Sequence, residues 1–177
     1  GRSFHANQHN YELMSEDLLK YLNAYKLDEV FLIGHSMGGK ASMTFACMYP
    51  ERVEKLVVVD IAPKYYPPHH EEILSALNAV EQAKIKSRKD ADQILSKYFS
   101  ESTLRQFLLK NLYWKSSTEL TFKFNLKVLS DQIENVGQAL HINALYEKPT
   151  LFIVGQASNY IKETDLELIE SHFPDFE

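Results

Sequence analysis

Gly34-His35-Ser36-Met37-Gly38-Gly39 places a serine between two glycines, each two residues away. A G-x-S-x-G triplet arises by chance about once in twenty chains of this length, and its position between an apolar run and a helical pattern makes coincidence rarer still. The spacing has a physical reason. A nucleophile on a sharp strand-to-helix turn sits in a strained backbone conformation, and side chains two positions before and after it would collide with the neighbouring strand and helix unless they are hydrogen. Gly34 and Gly38 fit that demand. The turn raises the Ser36 hydroxyl above the sheet and points the following helix N-terminus, with the Met37 N–H, at the place where an oxyanion would form. The alternative is Ser36 as a simple helix N-cap.

A serine hydroxyl is a weak nucleophile and needs a histidine base oriented by a carboxylate. Asp60 ends the next apolar run, Lys55-Leu56-Val57-Val58-Val59, and so lies on the same carboxyl edge of a parallel sheet as Ser36. The alternative for Asp60 is a turn residue leading into Ile61-Ala62-Pro63. A competing acid would follow the later run Thr150–Val154, but Gly155-Gln156-Ala157-Ser158-Asn159 holds no carboxylate, and Glu163 and Asp165 fall within a helical pattern. The histidines match less well. His35 adjoins the serine and points elsewhere; His5 and His9 precede the first helix, His69 and His70 open the middle region, His141 closes it, and His172 ends the last helix. Where this turn carries a triad the histidine follows the last strand, so the base is expected to lie outside this chain.

The elements that must position these groups follow from periodicity. Tyr11, Met14, Leu18, Leu22 and Tyr25 recur at helical spacing behind a possible Asn10 cap. Val30-Phe31-Leu32-Ile33 reads as a buried parallel strand, Met37–Met48 as a helix stopped by Tyr49-Pro50, and Lys55–Asp60 as a second buried strand. Alternating helix and strand at short spacing predicts an α/β fold with a parallel sheet. From Pro63 to Tyr146 the rhythm gives way to helical patterns over 71–83, 91–99 and 103–112, with a weaker one over 122–130. This region reads as an inserted helical cap, with Lys84–Asp90 as a solvated charged linker and Phe107 and Trp114 in the cap core. The α/β rhythm resumes at Thr150, followed by a helix over 163–172. The expected organisation is thus core 1–63, cap 64–146 and core 147–177.

The 177 residues carry 19 Lys+Arg against 24 Asp+Glu, a net charge of −5, and are 45% apolar. With both signs interspersed there is no basic stripe for nucleic acid or an anionic membrane surface. One cysteine, Cys47, makes neither an internal disulfide nor a cysteine metal site, which suits a reducing, cytoplasmic setting, and no run is long enough for membrane insertion. The chain opens Gly1-Arg2-Ser3 without an initiator Met and stops just after a helix, so it is read as an internal fragment that is inactive alone.

The runs Gly34–Ala41, Pro50–Pro63 and Phe107–Lys110, with Gly1-Arg2-Ser3 as the end of an Asn-His-Gly-x-Ser segment, resemble the YbfF-type esterases of the α/β-hydrolase superfamily. The resemblance implies Ser36 as nucleophile, Asp60 as triad acid, and a catalytic histidine and second oxyanion donor beyond this chain. It also implies a small-molecule acyl ester or acyl thioester substrate and no metal or organic cofactor. The same turn serves C–C bond hydrolases, cofactor-free perhydrolases and non-catalytic binding proteins of this fold. Tyr65 and Tyr66, directly after the Asp60 strand, are candidates to line an acyl pocket, the alternative being a rigid hinge into the cap.

Overall fold

The computed structural model describes residues 4–68 and 71–177. Gly1-Arg2-Ser3, part of the family likeness, and His69 and His70 lie outside the described residues. In chain order the elements are α1 (Tyr11–Ala24), β1 (Val30–His35), α2 (Met37–Met48), β2 (Val53–Val59), α3 (Glu71–Gln82), α4 (Arg88–Leu95), α5 (Ser102–Leu109), β3 (Leu112–Trp114), β4 (Leu120–Phe122), α6 (Leu126–Asp131), α7 (Ile133–Gly137), β5 (Thr150–Ile153) and α8 (Leu166–His172).

The chain divides into two compact units. One comprises His9–Pro67 and Glu134–Glu177; the other is built from the described residues of 1–8 and 68–133. These limits fall inside the 64–146 insertion read from the sequence, because Tyr66 N–H donates to Gly137 O (2.8 Å) and Leu140 N–H to Pro63 O (2.8 Å), which joins both crossings to the α/β unit.

In the α/β unit, Asn10 caps α1 by accepting from Leu13 N–H at 2.8 Å. The turn from α1 into β1 is held by Arg52, which donates to Asp28 O, Leu27 O and Asn23 Oδ1. Strands β1, β2 and β5 form a parallel sheet with β2 in the centre. Leu32, Leu56, Val58 and Phe152 face a core shared with Leu22, Met43, Phe45 and Ala46 of α1 and α2. The alternation in a pleated strand sends Phe31, Ile33, Val57, Val59, Leu151 and Ile153 to the opposite face. The strands read as buried on both faces are covered on one: Phe31 and Ile33 are 65% and 69% exposed. Among the described residues the helices of this unit pack on the other side.

The second unit encloses its own core of Leu74, Leu77, Val80, Leu95, Leu112 and Phe122. Two readings are corrected here. Phe107 and Trp114 are 62% and 52% exposed rather than core residues, since Leu108, Leu109 and Leu112 take the inward positions of α5 and β3. The charged linker, exposed as read at Lys84 and Lys86, ends sooner: Arg88 opens α4, and its largely exposed side chain donates to Leu109 O (2.5 Å) and Leu112 O (2.8 Å), satisfying carbonyls where α5 gives way to β3. Of the weak helical pattern over 122–130, α6 takes the part from Leu126 on, while Phe122 closes a β3–β4 hairpin that the periodicity did not show. Three residues per strand are too few to show a period.

Candidate active site

Ser36 occupies the single residue between β1 and α2, with φ 53° and ψ −120°. A non-glycine residue with positive φ stores roughly 1–3 kcal/mol of strain and persists only where the surroundings impose it. Here Ser36 N–H donates to Val59 O at 3.0 Å, and Ser36 O accepts from Lys40 N–H at 3.1 Å, so the sheet and the helix each fix one side of the peptide. The hydroxyl makes no capping hydrogen bond to α2. The simple N-cap reading therefore does not describe it. Met37 opens the 12-residue helix, and its N–H belongs to the first turn, where backbone donors lack intrahelical acceptors.

The two elbow glycines differ in what surrounds them. A Cβ on Gly34 would run into Gly38 O and Ser42 Oγ, so the strand and helix can meet there only at a glycine. A Cβ on Gly38 meets nothing within 4 Å among the described residues. The steric demand expected at Gly38 falls instead on Gly39, where a Cβ would lie 2.5 Å from Ile61 Cγ2 and 3.3 Å from Val58 Cγ1. In urea denaturation of the full-length protein, Gly34→Ala is expected to cost about 1–3 kcal/mol and Gly39→Ala a similar amount, whereas Gly38→Ala is neutral or up to about 1 kcal/mol stabilising. A Gly38→Ala variant less stable than Gly34→Ala would contradict this geometry.

Asp60 follows β2 as Ser36 follows β1. His35 and Val59 are register partners, so the serine and the carboxylate leave neighbouring strands, about 4.8 Å apart, at the same step. Asp60 also has positive φ, 57°. Its N–H donates to Ile153 O at 2.8 Å, and its Oδ1 accepts a long 3.4 Å hydrogen bond from Gly155 N–H, so the end of β5 holds both its backbone and its carboxylate.

The family model of the alpha/beta hydrolase fold matches residues 1–177. The chain belongs to the α/β-hydrolase family. It is similar to the esterase YbfF of Escherichia coli, with 37% identity over 93% of this chain and 63% of the relative, and to a Haemophilus influenzae protein described as an esterase/lipase, with 38% identity over 98% of this chain and 60% of the relative. The solved structure of a marine microorganism esterase superposes with a TM-score of 0.92 at 38% identity, covering all of this chain and 70% of that one. This α/β-hydrolase chain thus spans less than two thirds of the length of the Escherichia coli and Haemophilus influenzae relatives.

The described histidines are spread through the structure. His35 is exposed at the end of β1. His5 Nε2 contacts Lys123 O, His141 Nδ1 accepts from Asn143 N–H, and His172 is buried with Nδ1 on Ala144 O at 2.7 Å. No grouping of three or more His, Cys, Asp or Glu suited to a metal occurs among the described residues, and no helix there is long and apolar enough to cross a membrane.

The pocket candidates part ways. Tyr65 is exposed, with its hydroxyl donating to Glu134 Oε2 at 3.2 Å. The Tyr66 hydroxyl is engaged on both sides, accepting from Ala62 N–H (2.9 Å) and donating to Tyr160 O (2.6 Å), and burial pushes its pKa up to about 12. Two ammonium groups lie over its ring, Lys40 Nζ at 5.1 Å and Lys64 Nζ at 5.3 Å from the centroid. Lys64 pairs with Asp165 at 2.5 Å. Burial alone would raise the Asp165 pKa, but the Lys64 ammonium and the Lys162 N–H hold it below the usual carboxylate range. Lys40 falls within the Gly34–Ala41 run but is assigned no role from the sequence, although it carries the only charge in α2, and that isolation was the available signal.

Proposed function

We propose that this chain supplies the nucleophile and the acid of a serine hydrolase that cleaves a carboxylic ester or acyl thioester through an acyl-enzyme. The observation that carries the reading is the Ser36 turn: an uncapped hydroxyl on a strained residue, at the carboxyl end of a parallel strand and level with a carboxylate that leaves the neighbouring strand at the same step. Ser36 Oγ attacks the acyl carbon as its proton passes to a histidine outside this chain. The negative charge that develops on the carbonyl oxygen meets the Met37 N–H and the positive end of α2. Collapse of the tetrahedral adduct breaks the bond to the alcohol or thiol, which takes the proton from the imidazolium. Water then repeats the sequence on the acyl-serine. Asp60 holds the imidazole in the productive tautomer and stabilises its positive charge.

Several features support these assignments over their alternatives. Asp165, the buried acid beyond β5, is committed to Lys64, which leaves Asp60 as the carboxylate beside the serine turn. The exposed Tyr65 ring suits an acyl-pocket wall, whereas Tyr66 is held as a strut by both of its hydroxyl bonds. Relatives described as esterase/lipase and esterase favour ester chemistry among the reactions this turn serves. The test is covalent capture. Full-length protein treated with a fluorophosphonate gains one adduct per chain, and peptide mapping finds it on Ser36. An adduct on another serine, or none on folded protein, would overturn the nucleophile.

A further inference from the structure

Asp60 is held less directly than its proposed role demands. Its carboxylate has one long hydrogen bond, from Gly155 N–H at 3.4 Å, and its backbone has a φ of 57°. Aspartate tolerates that conformation better than most residues, yet the chain must still be kept there by the loop on its C-terminal side. That loop closes on itself through Ala62 N–H and the Tyr66 hydroxyl, and it is pinned to the returning segment by Tyr66 N–H on Gly137 O and Leu140 N–H on Pro63 O. A Cβ on Gly137 would overlap Tyr66 O, so the two segments are in direct backbone contact.

Lys40 crosses this junction. It is 2% exposed, and its ammonium donates to both Lys64 O and Gln138 O while facing the Tyr66 ring. Two carbonyls and one π face match its three N–H groups. Among the described residues no carboxylate pairs with it, and the neighbouring Asp165 pairs with Lys64. Burial, and then the charge of Lys64, lower its pKa to about 8. A buried, unpaired cation is a costly way to fill space, and a methionine would fill it with less loss. What the lysine supplies and methionine cannot is a directed bridge between two loops. That bridge starts one helical turn from the serine, because Lys40 N–H donates to Ser36 O.

We infer that Lys40 is a positioning residue that ties the loop following Asp60 to the helix following Ser36, fixing the carboxylate relative to the nucleophile. The inference rests on the proposed roles of those two residues, and its test separates the two. In the full-length protein, Lys40→Met is expected to speed hydrogen exchange at the Tyr66 and Leu140 amides at least tenfold, with the β1 and β2 amides unchanged. It should also lower kcat for p-nitrophenyl butyrate about 10- to 100-fold with KM within threefold. In an Asp60→Asn background the same substitution should cost less than threefold further, because its effect passes through Asp60. Lys40→Gln, which keeps an N–H donor, should recover part of the kcat. Equal losses in both backgrounds, unchanged exchange at Tyr66 and Leu140, or failure of both variants to fold would overturn the inference. If Asp60→Asn is itself harmless, the acid assignment falls, while the exchange result still decides whether Lys40 bridges the loops.

Discussion

Ser36→Ala in the full-length protein is expected to lower kcat for p-nitrophenyl butyrate by about 10⁶-fold, with KM changed only a few-fold. The magnitude reflects the chemistry of the turn. Replacing the hydroxyl by hydrogen removes the group proposed to form the acyl-enzyme, and in a serine triad loss of the nucleophile alone costs nearly as much as loss of all three members. Substrate contacts made elsewhere persist, so KM moves little. Ser36 has no capping bond to lose, and alanine carries the same φ penalty as serine, so denaturation midpoints should stay close to those of the parent. Steady-state rates with enzyme in excess of any contaminating esterase, compared at matched folded fraction, provide the measurement. A loss of less than a hundredfold would assign the nucleophile to another residue.

Asp60→Asn is expected to lower kcat about 10³- to 10⁴-fold while leaving the fold intact. Asparagine is nearly isosteric and is also at ease at the 57° φ found at this position. Its amide can still accept the Gly155 N–H, so the turn survives. What disappears is the negative charge that stabilises an imidazolium and the acceptor that selects the productive tautomer. Glu163→Gln, in the exposed turn before α8, is the matched control and should change kcat less than twofold. A loss below tenfold at Asp60, or a larger one at Glu163, would move the acid.

The α/β architecture was legible because its signals are local. Three apolar runs, a helix between the first two and the G-x-S-x-G spacing specify a parallel sheet with a serine at its carboxyl edge, and the elements at Val30–His35, Met37–Met48 and Val53–Val59 fall where periodicity puts them. Gly34 is explained equally well from spacing and from contact, since its neighbours Gly38 and Ser42 lie one turn along the next element. Three features required the folded chain. Gly39 rather than Gly38 takes the steric demand, because the colliding atoms belong to Ile61 and Val58, a strand away in the chain. Phe107 and Trp114 are turned outward, since a side chain's direction on an eight-residue helix or a three-residue strand depends on what packs beside it. The Lys40 bridge joins residues 24 and 98 positions distant, and no pattern along the sequence announces which carbonyls a buried ammonium will reach. The sequence by itself determined which residues could do chemistry and on which edge of which sheet they would stand, because strand period and turn sterics act over a few residues. Only the tertiary structure decided what holds them there, because burial, close backbone approach and charge pairing depend on segments that meet only when the chain is folded.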